Sequence, residues 1–298
     1  KTTNTPFEYK NGNTVVYTVN CLVAFIPETW DRASPNMSSF CHKGRLENAR
    51  FIRQGLQVAN ISDAPAVGVF LAKAASPVLR NINIEGGVIG LQAFVTFSGV
   101  WEMVGITQWN TYGFAGVLIQ DFRDGILHNA GTSMSMNLVQ VRGYQFGFQI
   151  ARLQYTTMIN CTVEEGYPQV GNAERKVYAY DYIDPFSVTM SGCATEFIAG
   201  GQIRVLPFTN PSFRPTLNVE GYIPIDQQNP EVSTPMFYVD SGGSIPMYVV
   251  FMGCELSRDT TKPNNAAPIV SGTNAKVIVT GCHGENWTTS SGGVFTRL

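Results

Sequence analysis

This chain has little charge and little histidine. Asp, Glu, Lys and Arg make up 14% of its 298 residues, and the formal net charge is −2. No run of Lys and Arg occurs, and phosphate binding needs clustered cations, so nucleic acid is not an expected partner. Only three histidines (His42, His128 and His283) are present, and no C-x-x-C pair. A zinc site draws on such ligands at close spacing, so no metal and no cofactor is expected. No apolar stretch approaches the roughly 18 residues of a membrane-spanning helix, so no membrane insertion is expected. The chain begins with Lys and carries no signal peptide, which reads as a mature or trimmed fragment. G-x-S-x-G, P-loop and H-E-x-x-H motifs are missing, which leaves α/β-hydrolase, nucleotide-hydrolase and zinc-protease chemistry without support. Helical periodicity is scarce too. The best candidate is 43–58, with apolar Leu46, Ala49, Ile52 and Leu56.

What is present is a returning phrase: two or three β-formers, then Asn or Gly, then a small apolar residue, often Cys. Aligning its copies puts Ile84, Ile106, Cys161, Cys193, Val219, Cys254 and Cys282 at one structural position, with Leu138 as a further copy. The intervals run from 22 to 35 residues. A strand that returns at such a loose period predicts an all-β solenoid of three parallel sheets with these residues stacked inside one of them. The four cysteines of the phrase then form an inward ladder of reduced thiols. Residues 1–77 are expected to form an N-terminal capping segment and 78–298 the solenoid body. Loop inserts are expected at 166–185, 206–214 and 222–235, which are rich in Tyr, Pro and Asn.

The phrases MINCTVEEG (158–166), MSGCATEF (190–197), FMGCELS (251–257) and VTGCHGEN (279–286) resemble the pectate-lyase-like β-helices of bacteriophage tailspikes. The resemblance covers residues 78–298. It implies a right-handed parallel β-helix, a homotrimer, and a place on the virion tail after assembly in the host cytoplasm. It also implies recognition or cleavage of a bacterial surface polysaccharide, capsular or O-antigen. The motifs of polygalacturonases and of Ca²⁺-dependent pectate lyases are missing, so pectin chemistry is not implied.

Three constellations could carry chemistry. The first is C-x-x-E, at Cys161 to Glu164 and Cys193 to Glu196, and again at Cys282 to Glu285. With Cys inward, alternation sends the residue three on outward. On adjacent coils Glu164 and Glu196 would sit one strand spacing apart, about 4.8 Å. Paired carboxylates at such a distance are the machinery of glycoside hydrolysis, and this is the leading catalytic reading; a purely structural role is the alternative. The second is Tyr178, Tyr180 and Tyr182, whose alternation predicts one aromatic face, with Asp181, Arg175 and Lys176 nearby; such a face packs on sugar rings. Trp109, Tyr112, Tyr167 and Trp287 are further aromatic candidates. The third is Arg142, Tyr144 and Arg152, with Tyr155. Arg can neutralise a uronate and Tyr can remove the adjacent proton, so these residues could support β-elimination. A non-catalytic glycan-binding or structural β-helix is the remaining alternative. Low charge with apolar residues facing outward also predicts a buried subunit interface.

Overall fold

The computed structural model describes residues 7–11, 14–26, 40–52, 66–109, 113–123, 126–166, 177–207, 214–230, 232–242 and 244–298. The described residues contain strands and no helix. Nearly all strand pairs are parallel and join one coil to the next, so the chain winds as a parallel β-helix.

Three corners divide the coil into three faces, and each corner is a column of left-handed residues. One column holds Lys43, Ser76, Ser98, Ser133, Tyr155 and Ser187, all with φ between 47° and 59°. A second holds Asn48, Asn81, Met103, Leu138, Asn160, Gly192, Gly221, Gly253 and Gly281, with φ between 49° and 61°. A third includes Gly143, Glu165, Phe197 and Asp226. Asn and Gly tolerate this conformation best, which explains the Asn or Gly of the recurring phrase. In the second column Asn81 Nδ2 also donates to Asn48 Oδ1 at 2.8 Å, one rung to the next.

The second corner shifts the inside–outside alternation by one residue. Inward residues therefore recur at i, i+3 and i+5: Trp101, Val104, Ile106; Met136, Val139, Val141; Met158, Cys161, Val163. This corrects the alignment of the phrase. Cys161, Cys193, Cys254 and Cys282 do share one column, with Tyr222 between Cys193 and Cys254. Ile84 and Ile106 stack two residues further along the same inward face. Val219 lies before the corner, beside Met190 and Phe251. Leu138 is the corner residue itself and is 48% exposed.

The same shift explains the expected helix over 43–58. Arg45–Ile52 is a strand paired in parallel with Val78–Glu85. Leu46, Ala49 and Phe51 face the core at spacings of three and two around Asn48, a pattern that imitates a helical turn. Residues 53–58 lie outside the described residues. Parallel pairing also joins Thr14–Phe25 to Ala66–Ala75.

The interior is a set of ladders. An aromatic series runs along it, from Phe148 on Tyr180 (5.2 Å) through Tyr222, Phe237 and Phe251 to Trp287. Each such pair contributes about 0.5–1.5 kcal/mol beyond its buried area. No disulfide joins the cysteines, and burial pushes Cys254 up to about 11, so its thiol is inert. Gly68, Gly90, Gly116 and Gly147 form a column of close approach against Ile84, Ile106, Val141 and Val163. A Cβ on Gly90 would stand 2.1 Å from Ile106 Cγ2 and 2.8 Å from the Gly116 carbonyl oxygen.

These two columns predict opposite effects. Gly90→Ala is expected to cost about 1–3 kcal/mol by overpacking. Leu138→Asn should gain about 1 kcal/mol, because it relieves a bulky residue of a left-handed backbone at an exposed site. Melting temperatures of the two variants check both. A destabilised Leu138→Asn would show that the Leu138 side chain makes contacts outside the single chain.

Candidate functional site

The three faces differ in what they leave open. The face built from Ile89–Phe97, Gly113–Ile119, Tyr144–Ala151, Tyr178–Ile183 and Gly201–Leu206 is buried along most of both sides. Its inner side joins the main core. Its outer side carries a second apolar cluster that includes Phe70, Phe94, Leu118, Phe146 and Tyr178. The other two faces alternate buried and exposed residues along each strand, as in Val78–Glu85 and Ser135–Arg142. Ligands can reach side chains there.

Several expected site residues fall on the closed face, which corrects their assignment to substrate binding. Tyr178, Tyr180 and Tyr182 are each 1% exposed or less. They do not share a side either. Tyr180 and Tyr182 belong to the main core, and Tyr178 to the outer cluster. Ala179 and Tyr180 are consecutive yet both belong to the main core, in line with the glycine column, and that breaks the two-residue period. Their hydroxyls have internal partners: Tyr180 donates to the Cys161 carbonyl at 2.8 Å and Tyr182 to Met158 Sδ at 3.1 Å. Burial pushes both well above the ordinary tyrosine range. Asp181 is fully buried and grips Arg204 through two bonds of 2.7 and 2.9 Å, while accepting from Gln149 at 2.9 Å. The Arg204 guanidinium in turn lies 4.9 Å from the Tyr178 ring centre. These residues hold the fold together.

The Arg142, Tyr144 and Arg152 set is also split. Tyr144 is 1% exposed, donates to the Gly86 carbonyl at 3.2 Å, and is held by burial above its usual range. Gly143, at φ 79°, turns the chain between the outward Arg142 and the inward Tyr144. Arg152 is largely covered and lies 3.9 Å from the Asp184 carboxylate. Trp287 is 5% exposed, stacked between Phe237 and Phe295. Tyr112, Tyr167, Arg175 and Lys176 lie outside the described residues.

On the open face after the second corner, one outward column runs Glu85, Thr107, Arg142, Glu164, Glu196, Ile225 on successive coils. Glu164 and Glu196 are opposite each other in strands Thr162–Glu164 and Ala194–Glu196, and both are half-buried. Gln140 Nε2 donates to Glu164 Oε1 at 2.5 Å. Arg142 engages the neighbouring Glu165 through Nε at 2.9 Å and Nη2 at 2.5 Å. The row Gly105, Gln140, Thr162, Ala194, short except at Gln140, runs alongside the carboxylates. Two rungs away Arg50 binds Glu85 at 2.6 and 2.9 Å. Trp109, 67% exposed, lies between, with the Arg142 guanidinium 5.5 Å from its ring centre. Among the described residues no group of His, Cys, Asp and Glu is arranged to hold a metal ion. Sequence reading could not single out Glu165, because its role depends on the corner that turns it toward Arg142.

This architecture has a solved counterpart. The gp42 tailspike of Acinetobacter phage vb_AbaP_AS12 superposes with a TM-score of 0.65 over 94% of this chain at 14% identity. The chain shares the fold of a phage tailspike. It spans 47% of that tailspike's length, about half. The catalytic domain of Agl-KA aligns over 95% of this chain and 61% of its own, at 8% identity and a TM-score of 0.42. No protein-family model matches the sequence, and no curated protein does.

The Arg142–Glu165 and Arg50–Glu85 pairs make a prediction about acid. The arginines hold Glu165 and Glu85 below the ordinary carboxylate range in the folded protein. A depressed folded pKa adds stability above the unfolded value, about 4.3, and that stability is lost as pH falls through the folded value. Melting temperature should therefore decline below about pH 4. Glu165→Gln should flatten that decline; an unchanged acid limb would show that the pair contributes nothing.

Proposed function

We propose that this chain is the β-helical body of a tailspike-like protein that binds and cleaves a bacterial surface polysaccharide, with Glu164 and Glu196 as its catalytic carboxylates. The observation that supports this most is the register of the two glutamates on an open face. Strands in register stand about 4.8 Å apart, close to the roughly 5–5.5 Å that separates the carboxyl groups of retaining glycosidases. Gln140 holds the Glu164 carboxylate in one orientation, as a nucleophile requires. Glu196 then donates the proton to the leaving oxygen. Attack at the anomeric carbon forms a glycosyl–enzyme ester, and Glu196, now a base, activates the water that hydrolyses it.

β-Elimination is the weaker reading. It needs a base at the surface beside a cation that can bind the uronate; Tyr144 is buried with its hydroxyl engaged, and the exposed Tyr155 stands against Phe186 at the first corner, with Arg142 at the third. A pure adhesin stays as the alternative in which the glutamates only bind. In the proposed setting the protein works as a homotrimer on the virion tail, facing the host surface. The exposed Val100, Met103 and Ile159 on nearby rungs support a covered interface.

Turnover of the glycan and the mass of the oligomer test this. Glu164→Gln and Glu196→Gln should each slow reducing-end release from the cognate polysaccharide by about 10²–10⁴-fold without lowering the melting temperature. No absorbance near 235 nm should develop, since hydrolysis makes no unsaturated sugar. Variants that keep full activity would sink the assignment. Light scattering should give about three times the 32.6 kDa chain mass at micromolar concentration; a monomer would remove the trimer.

A further inference from the structure

Trp109 is 67% exposed, although tryptophan is among the side chains with most to gain from burial. It follows strand Val100–Thr107 just past the third corner, and its ring lies beside Arg142 of the outward column that carries the paired glutamates. Its position is fixed from two sides. The Arg142 guanidinium lies 5.5 Å from the ring centre, and the indole N–H reaches toward the Glu85 carboxylate. Both partners are themselves pinned, Arg142 by Glu165 and Glu85 by Arg50. An aromatic ring that is already oriented loses little freedom when a ligand arrives, so its contact energy goes into binding.

We propose that Trp109 is a sugar-stacking platform and that the sugar it receives carries no charge. This deepens the proposed function and rests on it for the position of the cleaved bond. The column order Glu85, Thr107, Arg142, Glu164, Glu196 sets the direction of the glycan. Trp109 stands over the Thr107 and Arg142 rungs. The carboxylate pair is centred about two strand spacings further on, roughly 10 Å. A polysaccharide that touches both lies along the solenoid axis, over the row Gly105, Gln140, Thr162 and Ala194. The charges beside it select against acidic sugars. The two described cations of this strip, Arg50 and Arg142, each hold a carboxylate in a two-pronged bond. The described charges of this strip are the carboxylates Glu85, Glu164, Glu165 and Glu196 against the cations Arg50 and Arg142, so an arriving uronate would meet net negative charge. A neutral hexose or N-acetylhexosamine meets an apolar ring face and carboxylate acceptors for its hydroxyls, which is the chemistry present.

The test uses the full chain carrying Glu196→Gln, which prevents turnover, over an immobilised panel of purified capsular and O-antigen polysaccharides with neutral and with uronate-containing repeats. At least one neutral polysaccharide should bind. Adding Trp109→Ala should weaken it by about tenfold or more, as loss of an aromatic anchor does, whereas Trp109→Phe should stay within a few-fold. Binding should change little between low and high salt, because stacking is not screened. Retention of only uronate polymers with strong salt dependence, no retention of any neutral polymer, or equal binding by Trp109→Ala overturns the inference. So does a fall in oligomer mass on Trp109→Ala, which would make the indole an interface residue. Reducing-end release by the wild-type chain separates the two proposals. Release together with Trp109-independent binding sinks the platform alone; Trp109-dependent binding without release sinks the catalytic pair alone.

Discussion

Each coil has to turn where the previous one turned. The backbone of a parallel β-helix is satisfied only by the coils above and below, so register and corner position are one constraint. The left-handed columns show how tightly it holds. At the second corner even Met103 and Leu138 adopt φ values of 53° and 55°, a conformation that bulky side chains avoid. Stacking overrides local preference there. The interior ladders of Cys, Ile and aromatic side chains follow, because a residue that keeps its register keeps its neighbours. Extra chain is admitted beside the corners. The hairpin of Asp121–Arg123 and Ile126–His128 leaves one face before the winding resumes at Gly131–Thr132.

This constraint also decides what could be read in the sequence. The recurring phrase was legible because the corner demands Asn or Gly and the column behind it demands a small apolar residue. Cys161, Cys193, Cys254 and Cys282 align by eye for that reason. The adjacency of Glu164 and Glu196 follows from the same phrase, since both lie three residues past an aligned cysteine. What was hidden was the phase shift. A left-handed residue inside a strand changes the spacing of inward residues from two to three, so Arg45–Ile52 imitates a helix and Val219 slides across the corner. The tyrosines misled for a related reason. Strict alternation in 178–182 says one face but does not say which, and Ala179 and Tyr180, both turned to the main core, break even that. Tyr is comfortable inside because each hydroxyl reaches a carbonyl or a sulfur.

The closed face changes where recognition can take place. With Asp181, Gln92 and Thr96 all buried on the broadest sheet, its outer surface is core rather than groove. The Asp181–Arg204 pair sits among aromatic rings there, and a buried pair of this kind is costly to break even where it adds little net stability. The faces that alternate are the ones that can meet a partner. One of them carries the Glu164 and Glu196 column, bordered by Gly105, Gln140, Thr162 and Ala194 on one side and by the third corner on the other.

The charges themselves are arranged to cancel. Arg50 meets Glu85, Arg80 meets Glu102, Arg142 meets Glu165, Arg204 meets Asp181 and Arg258 meets Glu285. A surface built from such local pairs projects little field beyond the roughly 8–10 Å over which salt screens it. Long-range attraction therefore cannot select a ligand, and recognition falls to contact: ring faces, hydroxyl acceptors and shape. Contact of that kind is weak per unit and suits a ligand that repeats. A glycan lying along the axis meets the solenoid rung after rung, and the spacing of the coils lets successive units be held together. The exposed Trp109 and the in-register carboxylates Glu164 and Glu196 are the places where this neutral surface breaks its own pattern.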